Sequence, residues 1–520
     1  MNISFLKNNR DLIFILALYS LLAILFLHYY PHILGDEISY INIAHEYAIG
    51  DWADAINGYW SPFYSWLIAP LLTLNFTPIY GVYVSKTLCL VIGFLTIISI
   101  KRLSQIFKMD KIVQNALLFS AVPSILFFSL LYNTPDLLAA LILICYLSII
   151  FDSNYPNNWI NGFVCGSLGA ISYFTKNYLF IFFLIHFILF NLIYYFKKVN
   201  STKKKNILRN MTLGLLVFFL ISGLWVGAIS DKYGKLTIST AGEYNLDIAS
   251  PEYPTYPFYY TGLVKPPNKN AISIWDEPSA TKLSPWSPFS SLKNFQYELQ
   301  LIWNNILRTF EIVESYFFIA FIIMISSLLF ICSSRFKKDS KDKITYLLIT
   351  IAIYIGGYCF IAVEWRYFFF IFILLMLIAF YLIDNFYKNK PKTSLRNILL
   401  IILILSFTIE PVSEIKLYSS SDSYYSLSNT LKNDYEIHGN LASNTNWLEM
   451  LPISYFLNSK YYGQTKKTNN SNNLQRELEN DNIDYYFVWN NKSIPKLSDY
   501  TEITNSKIDG LKIYSRIKKN

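Results

Sequence analysis

The residue types that could do chemistry in this chain are a carboxylate pair and a few isolated cations. Asp36 and Glu37 stand together just after the first long apolar run, in an aromatic-rich stretch that reads PHILGDEISYINIAHEYAIGDWADAINGYWSPFYSWL from Pro31 to Leu67. A carboxylate so placed can take a proton from an incoming hydroxyl. It can equally cap the helix that starts there, with its neighbour left in solvent. Lys86, Lys176 and Arg366 fall near the ends of apolar segments, where basic residues are costly and mark function by default. Arginine suits two-pronged contact with phosphate and lysine acts as a point charge, so these side chains can absorb the charge of a departing phosphate. The competing roles are snorkelling of Lys86 and Lys176 to lipid headgroups and a structural pair of Arg366 with Glu364. Asp136, in YNTPDLL, can join such a site or cap its own helix.

These residues sit in a chain too apolar to be soluble at its length: of 520 residues, 53% are hydrophobic, 18% aromatic and only 15% charged. Apolar windows near the length of a membrane span recur up to about residue 410. Helices are expected across them, because backbone polar groups in lipid must be satisfied within the segment. The spacing predicts about eleven transmembrane helices, at 11–29, 81–100, 113–131, 136–151, 159–175, 178–196, 207–229, 312–333, 344–363, 367–386 and 397–410. Lys and Arg gather in alternate loops (101–111, 197–209, 335–343 and 388–396), which places those loops and the N-terminus in the cytoplasm. The apolar piece from Pro62 to Leu74 is short for a crossing and reads as interfacial or re-entrant.

Three longer segments then fall outside: 30–80, 230–311 and the tail. From Ile38 the first of them returns Ile41, Ala44, Tyr47 and Ala48 at helical spacing, as an amphipathic helix along the interface would, with Trp52, Tyr59, Trp60 and Trp66 at headgroup depth. The second, containing SPEYPTYPFYYTGLVKPP, reads as an irregular lid. The tail alternates strand-like and helical runs around NLASNTNWLEMLPISYFL and NIDYYFVWNN, so a small extracytoplasmic α/β domain is expected at 411–520, after a membrane domain at 1–410.

Several function classes are disfavoured. The formal charge of +9 sits in short loops as an orientation signal, so nucleic acid is not indicated. Met1 to Arg10 precedes an apolar run without a small-residue cleavage site and reads as a retained anchor. Cys89, Cys145, Cys165, Cys332 and Cys359 lie in apolar stretches without CxxC spacing, which indicates neither a disulfide framework nor a zinc site. There is no Gly-rich phosphate loop, no DxD and no Gly-x-Ser-x-Gly elbow. His32, Asp36, Glu37 and His45 are close in sequence but match no compact ligand motif. A divalent cation of the magnesium or manganese type, held by carboxylates, stays open. His28 and His186 read as packing residues, and His438 carries no signal.

The first outer segment, with Asp36-Glu37 after helix one and an aromatic stretch ending in Pro62-Phe63, resembles that of the GT-C membrane glycosyltransferases, in particular the protein mannosyltransferase and aminoarabinose transferase type. FTKN at Phe174 to Asn177 is similar to the family's Thr-Lys-Gly turn, and EWRY at Glu364 to Tyr367 to its Glu-x-Arg-Tyr turn. Trp60-Ser61-Pro62 stands where the family has His-Pro-Pro, and Asn177 where it has Gly. The resemblance covers essentially the whole length. It implies a hexosyl- or pentosyltransferase that takes a sugar from a polyprenyl-phosphate donor, among membrane lipids, and passes it to a glycan, lipid or protein acceptor of the cell envelope. Asp36 would be the base and Glu37 its support; Lys86, Asp136, Lys176, Glu364, Arg366 and Tyr367 would bind substrate. A single carboxylate acting on the nucleophile implies inversion at the anomeric carbon, in an integral protein of a prokaryotic plasma membrane. The competing class is a transporter or flippase. Such proteins commonly show internal repeats and broken midplane helices, and neither is apparent here.

Overall fold

A computed structural model describes residues 10–27, 33, 35–197, 200–253, 255–388, 394–418, 423–467, 470–490, 494, 496–505 and 507–517. The anchor segment before Arg10 and the roles weighed for His28 and His32 lie outside the described residues. The chain divides into two compact units. One comprises Met1–Tyr29, Lys86–Ile238 and Ser287–Ser420; the other comprises Tyr30–Ser85, Ser239–Trp286 and Ser421–Asn520.

The first unit is helical, and helices occupy all eleven expected spans. Among the described residues, seven helices are long and apolar enough to cross a membrane: Arg10–Leu27, Pro78–Ile106, Lys111–Leu131, Leu179–Phe196, Ser201–Tyr233, Trp365–Tyr387 and Ser394–Ile415. Asp136–Ile150 and Trp159–Thr175 are shorter, and Lys338–Cys359 opens on a charged turn. The protein is therefore a polytopic membrane protein. Phe369–Tyr387 is apolar all round and buried from Phe369 through Asp384, which makes it the central helix of the unit.

One expected span takes a different form. Residues 312–333 are not a straight crossing: Leu292–Tyr316 ends, and Ala320–Cys332 leaves it at 107°. The first of these helices starts well inside the segment read as an irregular lid, so only its upstream part, 249–291, is free of long helices. A hydropathy window averages across Phe317–Ile319 and carries no information on axis direction, which is why the break was invisible.

Glycine brings two helices of this unit into backbone contact. Gly162 and Gly166 are spaced by four on Trp159–Thr175 and face Ser201–Tyr233. A Cβ on Gly166 would lie 2.2 Å from the Gly214 carbonyl oxygen, and one on Gly162 would lie 2.5 Å from that of Asn210. In lipid, where the hydrophobic effect does not drive helix association, such close approach supplies the packing energy. Asn210 adds hydrogen bonds from Nδ2 to the carbonyls of Tyr155 at 2.9 Å and Asn158 at 3.0 Å.

The second unit is built from three stretches far apart in sequence. Its tail holds a five-stranded sheet of order β2-β1-β3-β5-β4, with β1 Asn440–Ser443, β2 Lys460–Gln464, β3 Tyr485–Trp489, β4 Tyr500–Glu502 and β5 Leu511–Arg516. β1 pairs in parallel with β2 and β3, the connections passing through helices Trp447–Phe456 and Ser471–Asn480; β5 pairs antiparallel with β3 and β4. Ala442, Tyr462, Leu474, Leu478, Tyr486 and Val488 close its core. The α/β character expected of the tail is present.

The helix Gly35–Ala48 departs from expectation. It is not a half-exposed interfacial helix, for every residue from Glu37 to Ala44 is buried, as are Glu46 and Tyr47. Its polar face is satisfied by the second outer segment: Ser39 Oγ donates to the Trp275 carbonyl at 3.2 Å, Asn42 Nδ2 to Asp276 at 3.0 Å, and Glu46 accepts from Asn268 at 2.8 Å. Likewise Trp60 is buried, whereas Trp52 is 62% exposed.

The glycine contact gives a test. Gly166→Val should destabilise the protein by about 1–3 kcal/mol or more through overpacking, read as a lowered thermal midpoint in detergent. Gly223→Ala, with nothing within 4 Å of its Cβ, should be neutral or slightly stabilising.

Candidate functional site

In the first unit, two turns distant in sequence meet. Helix Trp159–Thr175 ends at Lys176, whose N–H caps the Ser172 carbonyl at 2.9 Å, and the Leu179 N–H returns to the Lys176 carbonyl at 2.9 Å, so Lys176 stands at a tight reversal between two apolar helices. Tyr178 anchors that reversal by donating from its hydroxyl to the Tyr354 carbonyl at 2.7 Å. Gly357 leaves room for its ring, since a Cβ there would be 2.4 Å from the Tyr178 hydroxyl. The second turn, Trp365–Phe368, is a short 3-10 helix. Trp365 wedges into an aromatic cluster, with ring centroids 5.2 Å from Tyr316, 5.4 Å from Phe127 and 5.9 Å from Tyr132. Its chain neighbours Glu364 and Arg366 flank that held indole.

The Lys176 ammonium forms an ion pair with Asp136, the first residue of helix Asp136–Ile150, and Thr134 Oγ1 donates to the other carboxylate oxygen at 2.7 Å. The same ammonium lies 3.8 Å from the Tyr367 ring centroid and 5.6 Å from that of Tyr358, and the two tyrosines stack at 4.5 Å. Arg366 Nε donates to Glu364 at 2.9 Å, and its guanidinium lies 5.5 Å from the Tyr367 ring. Arg366 is within electrostatic reach of both Asp136 and Lys176. Asp136, Lys176, Glu364, Arg366 and Tyr367 thus form one cluster, with two cations balanced by two carboxylates around a tyrosine face. Lys176 does not snorkel, since its side chain is 17% exposed and that of Asp136 is 3%. The Arg366–Glu364 pair is present.

Lys86 is placed differently. It is fully buried, and its ammonium donates to the Leu130 carbonyl at 3.4 Å. That carbonyl belongs to the last turn of helix Lys111–Leu131, where a cation satisfies an orphan acceptor and complements the helix dipole. It too is not a headgroup contact.

In the second unit, Asp36 and Glu37 open helix Gly35–Ala48. Asp36 accepts a hydrogen bond from Trp275 Nε1 at 2.9 Å, and Glu37 is buried. The Trp275 carbonyl in turn accepts from Trp60 Nε1 at 3.0 Å. The Trp275 ring packs edge-on to Trp60, Phe258 and Trp447. The orientation of Asp36 is therefore set by a residue 239 positions away in the chain. The next residue, Asp276, is buried and accepts from the Ile272 N–H at 2.7 Å; burial pushes its carboxyl above the usual carboxylate range.

Among solved structures the chain resembles the oligosaccharyltransferase of Archaeoglobus fulgidus in complex with Zn and sulfate, with a TM-score of 0.56 and 13% identity over 91% of this chain and 68% of that one. It also resembles ArnT from Cupriavidus metallidurans bound to undecaprenyl phosphate, with a TM-score of 0.55 and 12% identity over 98% of both chains. The chain thus shares its fold with both of these membrane proteins. A further structure with the same fold is the A. fulgidus oligosaccharyltransferase AglB with an inhibitory peptide and a dolichol-phosphate, at a TM-score of 0.53 and 11% identity over 93% of this chain and 70% of that one. No family model and no curated protein sequence matches the chain.

Among the described residues no group of three or more His, Cys, Asp or Glu side chains converges as a metal cage. His45 instead stacks on Phe76 at 3.7 Å. The described residues do not offer the three or four protein ligands that a zinc ion takes. Several residues of these sites carry no motif in the sequence. Thr134 was within sight, two residues before Asp136, and Trp275-Asp276 stands out as an aromatic-acidic pair in a Pro-rich segment. Tyr358, in an apolar run already dense in aromatics, gave no signal.

Removing one member of the Lys176–Asp136 pair leaves a buried charge alone, at a cost of about 3–5 kcal/mol. Lys176→Met and Asp136→Asn should each lower the thermal midpoint, and the double variant should recover much of the loss. For Asp276 the raised pKa means the folded state holds its proton more tightly than the unfolded chain. The carboxyl thus costs no stability below the unfolded value of about 3.9 and weakens the fold as pH rises through the window up to its folded value. The difference in thermal midpoint between Asp276→Asn and wild type should therefore grow in favour of the variant from about pH 4 upward, followed by tryptophan fluorescence.

Proposed function

We propose that this protein transfers a sugar from a polyprenyl-phosphate carrier to a glycan, lipid or protein acceptor at the outer face of the membrane. The observation that carries this reading is the cluster of Lys176 and Arg366, each paired with a carboxylate and both against Tyr367, in a chain with this fold. Charged side chains are expensive among apolar helices, and replacing such a pair by apolar residues is often neutral or stabilising. Stability alone therefore gives little reason for the cluster, and recognition of an anionic group gives a good one. The neighbouring structures contain undecaprenyl phosphate and dolichol-phosphate, which supports a lipid phosphate as that group.

In the reaction, Asp36 takes the proton from the acceptor as its heteroatom attacks the anomeric carbon. The bond from that carbon to the phosphate oxygen breaks, and the carrier phosphate leaves with the negative charge, which Lys176 and Arg366 stabilise. Lys86, Asp136, Glu364 and Tyr367 complete the substrate-binding set, the two carboxylates and the tyrosine face holding the cations in place. Displacement in one step inverts the anomeric configuration. The Trp275 N–H keeps the Asp36 carboxylate in one orientation, and Glu37 supports the acceptor side. We assign 1–410 as the membrane domain and 411–520 as an extracytoplasmic domain, with the N-terminus in the cytoplasm of a prokaryotic cell.

Purified protein in detergent, given synthetic polyprenyl-phosphate sugars and candidate acceptors, should release carrier phosphate and form an inverted product by NMR. Asp36→Asn should reduce turnover by about 10²–10⁴-fold with an unchanged thermal midpoint. Full activity in that variant removes the base assignment, and a retained configuration removes the single displacement. Activity that survives EDTA agrees with a metal-free step, whereas loss reversed by Mg or Mn shows that the reaction needs a divalent cation.

A further inference from the structure

The helix Leu292–Tyr316 has three faces where a surface helix usually has two. Glu298, Asn305, Thr309, Ile312, Val313 and Tyr316 are buried. Beside them Leu292, Phe295, Leu299, Trp303, Leu307 and Phe310 recur every three or four residues as a continuous apolar stripe, and all are exposed, Trp303 by 59%. The third face carries Lys293, Gln296, Gln300, Asn304, Arg308 and Glu311, also exposed. Water does not suit the stripe, which forms an apolar patch along the whole helix. Hydrocarbon does not suit the row of amides and charges. The boundary between the two suits both.

The following helix supports the same placement. The exposed residues of Ala320–Cys332 are Phe321, Ile322, Ile325, Leu328, Leu329 and Cys332, with no polar row among them, as in a helix immersed in acyl chains. The two axes meet at 107°. If the immersed helix stands near the membrane normal, as spans do within a tilt of about 20° on average, its predecessor lies near the membrane plane.

Two side chains tie this helix to the candidate site, Asn305 from its buried face and Arg308 from the edge of its polar face. Asn305 Nδ2 donates to the Cys359 carbonyl at 2.9 Å, and Arg308 Nε donates to the Val363 carbonyl at 3.0 Å. Val363 directly precedes Glu364. We infer that Leu292–Tyr316 lies in the membrane interface with its apolar stripe among the acyl chains, and that through Asn305 and Arg308 it fixes the depth at which the Glu364–Arg366 turn meets the headgroups. The partner is the bilayer itself. The exposed charges of the helix balance, Lys293 and Arg308 against Glu311 and Glu314, so insertion follows apolar area and not lipid charge. This placement stands independently of the transfer reaction.

The test uses the full chain in nanodiscs of phosphatidylcholine, with and without added phosphatidylglycerol. Spin labels are introduced singly through Leu299→Cys, Trp303→Cys, Gln300→Cys or Asn304→Cys in a Cys332→Ser background. The first two should be accessible to oxygen and lie about 5–10 Å deeper than the last two, which should be accessible to a water-soluble nickel complex, equally in both lipids. Nickel access at all four positions would put the helix in water. Oxygen access at all four, with depth changing steadily along the chain, would make it a crossing. Either result overturns the inference, as does insertion that requires the anionic lipid. A label through Ala362→Cys reads the coupling: its depth should change when Asn305→Ala and Arg308→Ala are combined, and hold in Arg308→Gln, which keeps a donor. An unchanged depth in the double variant would show that the helix does not set the position of the turn.

Discussion

An ammonium and a carboxylate withdrawn from water among apolar helices have to find each other, and much of the first unit is arranged around the pair that does so. Lys176 can reach Asp136 only because helix Trp159–Thr175 stops where it does and the chain reverses within three residues. Tyr178 pins that reversal to the backbone of Lys338–Cys359, and a glycine on that helix gives its ring space. Thr134 occupies the second carboxylate oxygen, so the charge is bonded on both sides. Tyr358 and Tyr367 then offer the ammonium two ring faces, which attract a cation without adding a competing anion.

The neighbouring turn obeys a different constraint. Arg366 and Glu364 are more exposed than the lysine pair, and they are aimed by the indole between them. Trp365 is held by Tyr316 and by Phe127 and Tyr132 at the end of helix Lys111–Leu131, and Phe128 and Phe369 stack at 3.9 Å in the same cluster. Aromatic packing here sets direction, as glycine packing between Trp159–Thr175 and Ser201–Tyr233 sets distance. Both devices suit an environment in which the hydrophobic effect cannot choose between one apolar contact and another.

What could be read from the sequence follows the range of the interactions involved. Spans were legible because a membrane selects for composition over a window of some twenty residues, and the strands around NLAS and YYFVW were legible from local alternation. Lys176 and Arg366 stood out because a charge next to an apolar run is locally anomalous. The fate of Gly35–Ala48 was not legible, because its own pattern is amphipathic and its burial depends on Trp275, Asp276 and Asn268. The Lys86 contact with the end of another helix, and the bend after Tyr316, are likewise tertiary facts with no local signature. The pairing of Asp36 with Trp275 spans 239 residues, and only the structure connects them.

The second unit is assembled from three stretches of chain, and this has a consequence in time. Helix Gly35–Ala48 is made early, yet Ser39 and Asp36 wait 236 and 239 residues for their partners. Gly35 packs on Leu451, from the tail, closely enough that a Cβ would lie 2.6 Å from that side chain. At synthesis rates of about 5–20 residues per second the interval is on the order of tens of seconds. During it Glu37, Asn42 and Glu46 have water or lipid headgroups for company. Contacts this distant in sequence close late and slowly, so the segment bearing Asp36 takes its final surroundings only after nearly the whole chain has been threaded through the membrane. An unfinished chain would therefore hold the carboxylate pair without its setting, and that setting would arise as one late event in biogenesis.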